Sequence, residues 1–165
     1  MVAGAGGRFR VVVLGPPRVG GFGGLAYHPV APSWRPAGAA RRYAGAVARV
    51  LRALRPTVIE MHDALEVAAI LGGMFRPLPV VLIVHSDPQG KPGARDAAAR
   101  TFLLAQVTRV AAVSGPLRTR VLDGVHPSMR LCALLPPEGP AQADALDALR
   151  VEAMEAWSRR LEEPI

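Results

Sequence analysis

Short, strongly apolar segments alternate along this chain with longer segments of helical periodicity, and few folds accommodate that alternation. The apolar segments cover Arg10–Leu14, Thr57–Met61, Pro79–Val84, Arg109–Val113 and Leu131–Leu135. Near-continuous apolar runs are typical of strands that are buried on both faces of a sheet. Between 17 and 42 residues separate consecutive runs, which suits crossover helices and excludes hairpin connections. The strands are therefore expected to be parallel.

The longer segments predict the helices that make these crossovers. Helical periodicity and capping signals place them at Ala39–Leu54, Ala64–Met74, Ala94–Val107, Pro116–Leu122 and Ala141–Leu161. Helices between parallel strands cover the faces of the sheet. We therefore predict the α/β class, with a single Rossmann-like three-layer domain, a mainly parallel sheet of about five strands and a C-terminal amphipathic helix.

The C-terminal helix follows a proline-rich linker and forms its own segment in this prediction. Residues 1–137 would make the Rossmann-like domain, and residues 138–165 the linker and helix. The helix carries one apolar stripe at spacings of three and four residues, made of Leu146, Leu149, Ala153, Trp157 and Leu161. This stripe could dock on the same domain or on a partner, and its periodicity does not choose between them.

Composition narrows the class of protein further. Hydrophobic residues make up 50% of the 165 residues and charged residues 20%, which excludes a disordered chain or a coiled coil. The only cysteine, Cys132, cannot form an internal disulfide, so a reducing compartment is the default. No apolar run approaches the roughly 18 residues that cross a bilayer, and no signal-peptide core is recognised. We expect a cytoplasmic location.

Charge is distributed unevenly along the chain. Residues 1–137 hold 17 Lys and Arg against 6 Asp and Glu, whereas residues 138–165 hold 3 against 7. The helix predicted at Ala39–Leu54 places Arg41, Arg42, Arg49, Arg52 and Arg55 along one side. These arginines either remain in solvent or contact an anionic membrane face, in which case the protein would be peripheral at the inner membrane. The arginines lack interleaved aromatic residues, so no nucleic-acid partner is expected.

Polar residues follow the predicted strands, where the carboxyl edge of a parallel sheet usually binds ligands. A glycine-rich loop with Gly20, Gly21, Gly23 and Gly24 follows the first strand. Its spacing resembles a dinucleotide fingerprint, but prolines follow it where that motif requires a helix, so an NAD-dependent oxidoreductase is disfavoured. The loop is expected either to approach a ligand through its backbone amides or to be a plain surface turn.

The other candidate residues follow the second, third and fourth strands. Asp63 and Glu66 have capping-box spacing, and His62 precedes them without a complete set of metal ligands, so no metal is predicted. His85 and Asp87 would face the cleft and are the candidate catalytic residues, although Asp87 also suits a turn. Ser114 suits the N-cap of the helix that contains Arg118, where an anionic oxygen could also bind.

The order of these motifs resembles the N-terminal domain of GT-B glycosyltransferases of family 4. The resemblance covers residues 8–137. It rests on the glycine-rich loop followed by Arg-Pro-Thr-Val-Ile-Glu-Met-His62-Asp63, then Pro-Val-Val-Leu-Ile-Val-His85-Ser86-Asp87-Pro88, then Arg-Val-Ala-Ala-Val-Ser114. Ser86 stands where close relatives have asparagine. The family's donor-binding domain and its glutamate pair have no counterpart after Pro137.

The resemblance implies an acceptor-binding half of a retaining glycosyltransferase that needs a separate donor-binding domain or chain. His85 would then assist near the transferred sugar, the loop at residues 20–24 would approach donor phosphate and acceptor, and His62 and Asp63 would line the acceptor side. A glycan or lipid-linked acceptor would be the ligand, and no bound cofactor is expected. The alternative is a non-catalytic membrane-surface module that binds the same kind of acceptor.

Overall fold

The computed structural model describes residues 9–17, 25–31, 38–75, 78–129 and 131–162. These residues fall into two compact units, Met1–Arg55 and Pro56–Ile165. The glycine-rich positions Gly20, Gly21, Gly23 and Gly24 lie outside the described residues, so the prediction for that loop stays a prediction.

The first unit contains two short strands and one helix. Strand β1, Val12–Gly15, pairs in parallel with β2, Ala26–Pro29, and helix α1 covers Ala39–Leu54. The predicted bounds of α1 are confirmed. Its apolar side is buried and its described arginines are exposed or half-buried, as the amphipathic pattern indicated. The helix ends at Arg55, whose φ of 49° is left-handed.

The second unit contains a parallel four-stranded sheet in the order β3-β4-β5-β6. The strands are β3, Ile59–His62, β4, Val80–Val84, β5, Arg109–Ala112, and β6, Ala133–Leu134. Parallel pairing is confirmed, but the expectation of one sheet of about five strands is wrong, because β1 belongs to a separate two-stranded sheet. The sequence analysis missed β2, the strand with which β1 pairs.

Four helices complete this unit and account for the burial of β4. They are α2, Leu65–Met74, α3, Ala97–Gln106, α4, Gly115–Leu122, and α5, Pro140–Glu162. All five residues of β4 are buried. Side chains alternate along a strand, so the residues of β4 that do not face α5 point to the opposite face of the sheet. Helix α2 also contacts β4. Helices therefore cover the sheet, as the alternation of apolar and helical segments in the sequence predicted.

Helix α5 docks on the sheet of its own unit. Leu146, Leu149 and Ala153 are buried against Val81 and Ile83 of β4. The apolar stripe of the C-terminal helix therefore packs on the same chain and not on a partner, a choice that the periodicity left open.

Local capping residues explain where two of the helices begin. Helix α3 starts after Asp96, whose carboxylate accepts a hydrogen bond from the amide of Ala99 at 2.7 Å, so the prediction of a start at Ala94 was three residues early. Ser114 caps α4 in the same way, by accepting from the amide of Leu117 at 3.4 Å. The N-cap that the sequence assigned to Ser114 is confirmed.

Candidate functional site

Two neighbouring strands end at the same edge of the four-stranded sheet and bring three of the predicted residues, His62, Asp63 and His85, together. Met61 and His62 of β3 are in register with Leu82 and Ile83 of β4. The residues that follow these strands therefore meet, and the amide of Asp63 donates to the carbonyl of Ile83 at 3.0 Å. The sequence placed these groups at one edge, and within this unit the structure agrees.

Asp63 holds the end of β4 in place. Its Oδ1 accepts from the amides of His85 at 2.8 Å and Ser86 at 3.2 Å, and its Oδ2 accepts from the Ser86 hydroxyl at 2.8 Å. Lys91 lies 2.9 Å from Oδ2. Burial raises the pKa of Asp63, but the hydrogen bonds from Lys91, His85 and Ser86 outweigh it and hold that pKa below its usual value.

The capping-box interpretation of Asp63 and Glu66 is wrong. Helix α2 begins at Leu65 after Ala64, and no side chain caps its first turn. Asp63 lies one residue before the cap position, and its backbone is left-handed, with a φ of 55°, whereas a cap residue normally has an extended backbone. Its carboxylate instead accepts hydrogen bonds from the amides of His85 and Ser86, which directly follow β4.

The two histidines form a hydrogen-bonded pair on this edge. Nδ1 of His62 lies 2.8 Å from Nε2 of His85, and the ring centroids are 5.1 Å apart. Nε2 of His62 lies 2.9 Å from Oε1 of Glu60. Burial, and then the neighbouring His62, lower the pKa of His85 below its ordinary value of 6.5. His85 is exposed, so a neutral imidazole faces solvent at this edge.

A buried ion network lies behind the histidine pair. Arg150 of α5 donates from Nε to Oε2 of Glu60 at 2.7 Å and from Nη2 to Oε1 at 3.0 Å, and it also binds Asp147. The side chain of Arg150 is 6% exposed and that of Glu60 15%. Burial raises the pKa of Glu60, yet the hydrogen bonds from His62 and Arg150 hold it below its usual range. Glu60 is therefore a carboxylate at neutral pH.

Sequence reasoning missed Glu60, Asp147 and Arg150. Glu60 is a charged residue inside an otherwise apolar strand, a position where a buried partner is normally required. That signal was present in the sequence. The identity of the partner was not, because Arg150 lies 90 residues further along the chain.

Asp87 is engaged in local structure. Its Oδ1 accepts from the amide of Gln89 at 3.0 Å, which caps the short 3-10 turn Pro88–Gly90, and Arg120 of α4 binds the same carboxylate. The hydrogen bond from Arg120 is the main reason that the pKa of Asp87 lies below its usual value. The turn role that the sequence offered for Asp87 is present, and the catalytic role stays a prediction.

Ser114 and Arg118 lie next to the following strand. Ser114 comes two residues after the end of β5, the parallel neighbour of β4, so it lies towards the same edge as His85. Arg118 is exposed on α4. The structure therefore leaves both residues available at the N-terminal part of that helix, where an anionic group could also be held.

Three further features of the described ranges concern metal binding, membrane insertion and the reactivity of the cysteine. In them, no three His, Cys, Asp or Glu side chains cluster closely enough to hold a metal ion. None of their helices combines the length and the apolar character needed to cross a bilayer. Burial raises the pKa of Cys132 to about 11, which makes its thiol a poor nucleophile.

The fold and the edge residues define a class of protein: an α/β protein with mostly parallel sheets, consistent with a Rossmann-like domain, that carries a histidine pair backed by a buried carboxylate. Comparison of the chain with protein-family models, curated proteins and solved structures finds no match in any of the three.

Proposed function

We propose that this chain is the acceptor-binding side of a family 4-like glycosyltransferase, whose nucleotide-sugar donor is bound by a separate domain or chain. One observation carries the proposal. His85 is exposed at the carboxyl edge of a parallel sheet, its backbone amide is held by Asp63, and its ring is paired with His62. This is the edge at which open α/β sheets bind their ligands.

The chemistry of this edge suits a ligand rich in hydroxyl groups. Nε2 of His85 is paired with His62, which leaves Nδ1 of the neutral ring as an acceptor for a sugar hydroxyl. The carboxylate of Asp63 already accepts hydrogen bonds from the amides of His85 and Ser86 and lies beside Lys91, so it acts by positioning His85. In this proposal Ser114 and Arg118 contact polar parts of the substrate.

Replacing His85 by alanine should strongly weaken the binding of simple glycosides. We expect saturation-transfer NMR to show contact between the wild-type chain and methyl glycosides in the millimolar range, with the signal reduced about tenfold or more in H85A, because a direct hydrogen bond to the sugar is lost. H126A is the matched control, since His126 is also exposed and its side chain bonds only to Ser128 among the described residues.

Equal glycoside signals from the wild type and H85A would contradict the proposal. Sugar transfer from a nucleotide sugar by the purified chain alone would also contradict it. Without a donor-binding wall, substrate positioning and exclusion of water, which supply much of the rate, are missing.

A second candidate function, the membrane-surface module, is favoured by one observation on α1. Arg41 and Arg49 are exposed on the helix, whereas Val47 and Leu51 on its apolar side are buried. Contact with a membrane would therefore be electrostatic, through these arginines and anionic headgroups.

A paired charge removal tests this second function. We expect R41Q/R49Q to weaken sedimentation with phosphatidylserine vesicles about tenfold or more, because each arginine near an anionic surface contributes about 1 kcal/mol. R95Q/R159Q removes the same charge from exposed positions elsewhere and should have little effect. Binding that is insensitive to salt, or equal losses in both variants, would refute membrane contact through α1.

A further inference from the structure

A continuous chain of hydrogen bonds runs from the buried Arg150 on helix α5 to the exposed edge of the sheet. It passes from Arg150 to Glu60, from Glu60 to His62 and from His62 to His85. Its inner end is buried and its outer end is exposed. Such a series can hold each imidazole in one tautomer and can carry a proton along its length.

The direction of the hydrogen bonds follows from the inner end. Glu60 is ionised and receives two hydrogen bonds from Arg150, so it can only accept from Nε2 of His62. Neutral His62 then has an unprotonated Nδ1, and this atom must accept from Nε2 of His85. Neutral His85 consequently presents an unprotonated Nδ1, which has no hydrogen-bond partner within the part of the chain that the structure describes.

We propose that Glu60, His62 and His85 form a proton relay that presents Nδ1 of His85 as a hydrogen-bond acceptor for a ligand hydroxyl, with Arg150 as a positioning residue for Glu60. A proton that arrives at Nδ1 of His85 displaces the proton on Nε2 of the same ring, which moves to Nδ1 of His62. The positive charge then lies on His62, next to the Glu60 carboxylate. One proton enters and none is lost.

Charged groups from several elements surround the histidine pair, and the lone pair that the neutral pair presents determines which ligand it prefers. They are Glu60 on β3, Asp63 after β3, Lys91 after the 3-10 turn, Arg150 on α5, and Glu138, whose charge also acts on His85. Because the neutral pair presents a lone pair, it favours a hydroxyl donor and offers little to sulfate, a dianion that has no proton to donate and can only accept. Sulfate binding should become favourable only when the pair takes up a proton in acid.

The first test needs no ligand and no variant. Long-range proton–nitrogen NMR distinguishes the two tautomers of each histidine, and the chain has only four: His28, His62, His85 and His126. We expect His62 and His85 both to carry the proton on Nε2 at neutral pH. A His62 that carries its proton on Nδ1 would overturn the proposal.

The second test is a titration of E60Q followed by the same spectra. The amide keeps the shape and an acceptor oxygen but cannot stabilise a cation on His62, so the first apparent pKa of the pair should fall by about one unit or more. The resonances of His28 and His126 are internal controls and should not respond to the substitution. An unchanged pKa of the pair would overturn the relay.

A third experiment tests this ligand preference by adding inorganic sulfate, which has the same charge and no donor proton at pH 8 and at pH 5. The relay predicts that sulfate perturbs the His85 resonances at the lower pH only, and equal perturbation at both values would overturn the stated preference. Only the identification of the hydroxyl ligand rests on the proposed function. Failure to bind glycosides would therefore refute the proposed function while leaving the tautomer and titration results to decide the relay.

Discussion

Replacing Arg150 by methionine is expected to lower the free energy of unfolding by about 3–5 kcal/mol, which is the usual cost of removing one partner from a buried ion network. Arg150 is buried and binds the carboxylates of both Glu60 and Asp147. Without the guanidinium, two carboxylates with low exposure face each other with no cation between them. Urea denaturation followed by circular dichroism measures the loss.

The same network supplies an internal control. In the triple variant E60Q/D147N/R150M every member is neutral, so no uncompensated charge is buried and most of the lost stability should return. The deficit of R150M should also shrink in acid. The pKa of Glu60 is depressed in the folded wild type, so the wild type loses that stabilisation as the pH falls through the folded pKa. A deficit below about 1 kcal/mol at neutral pH would show that the network contributes little.

Alanine at Gly72 is expected to destabilise the protein by about 1–3 kcal/mol or more, as overpacking of a closed interface does. Helix α2 packs against α3, and a Cβ atom on Gly72 would lie 2.1 Å from the backbone oxygen of Gln106 and 2.9 Å from its carbonyl carbon. Backbone atoms cannot rotate away as a side chain can, so one of the two helices must shift. Thermal and urea unfolding of G72A measure the cost.

Gly73 is the matched control on the same helix. A Cβ there would meet only the side-chain Oε1 of Gln106, at 3.3 Å, and that flexible group can move. G73A should therefore be neutral or gain up to about 1 kcal/mol, because alanine favours the helical backbone more than glycine does. Opposite signs for G72A and G73A are the expected result, and equal effects would contradict the close approach of α2 to Gln106.

The helices were predictable because their signals are local. The bounds of α1 and the core-facing stripe of α5 follow from residues spaced three and four apart. Strand β2 was not predictable in this way. Its residues, Ala26–Pro29, are half-buried or exposed and stand among prolines, so they form no apolar run and show no clear alternation. A strand of this kind is formed by its pairing with β1 rather than by its own composition.

The candidate site was likewise predictable from the sequence only in part. His62, Asp63 and His85 could be placed at one edge from sequence, because parallel strands end together and loops follow them. The pairing of the two imidazoles depends on the register between β3 and β4, and the role of Asp63 depends on a left-handed backbone at that residue. Neither property has a local sequence signal strong enough to predict it, and the capping-box spacing of Asp63 and Glu66 suggested a different role.

The amino-acid sequence is enough to predict parallel strands joined by helices, with polar groups where the strands end. Periodicity and strand spacing act over neighbouring residues, so they can be recognised without coordinates. The folded structure was needed to establish that β1 pairs outside the larger sheet, that α5 covers that sheet, and that Arg150 reaches Glu60 behind the histidines. These are contacts between distant parts of the chain, and their geometry depends on how the whole core packs.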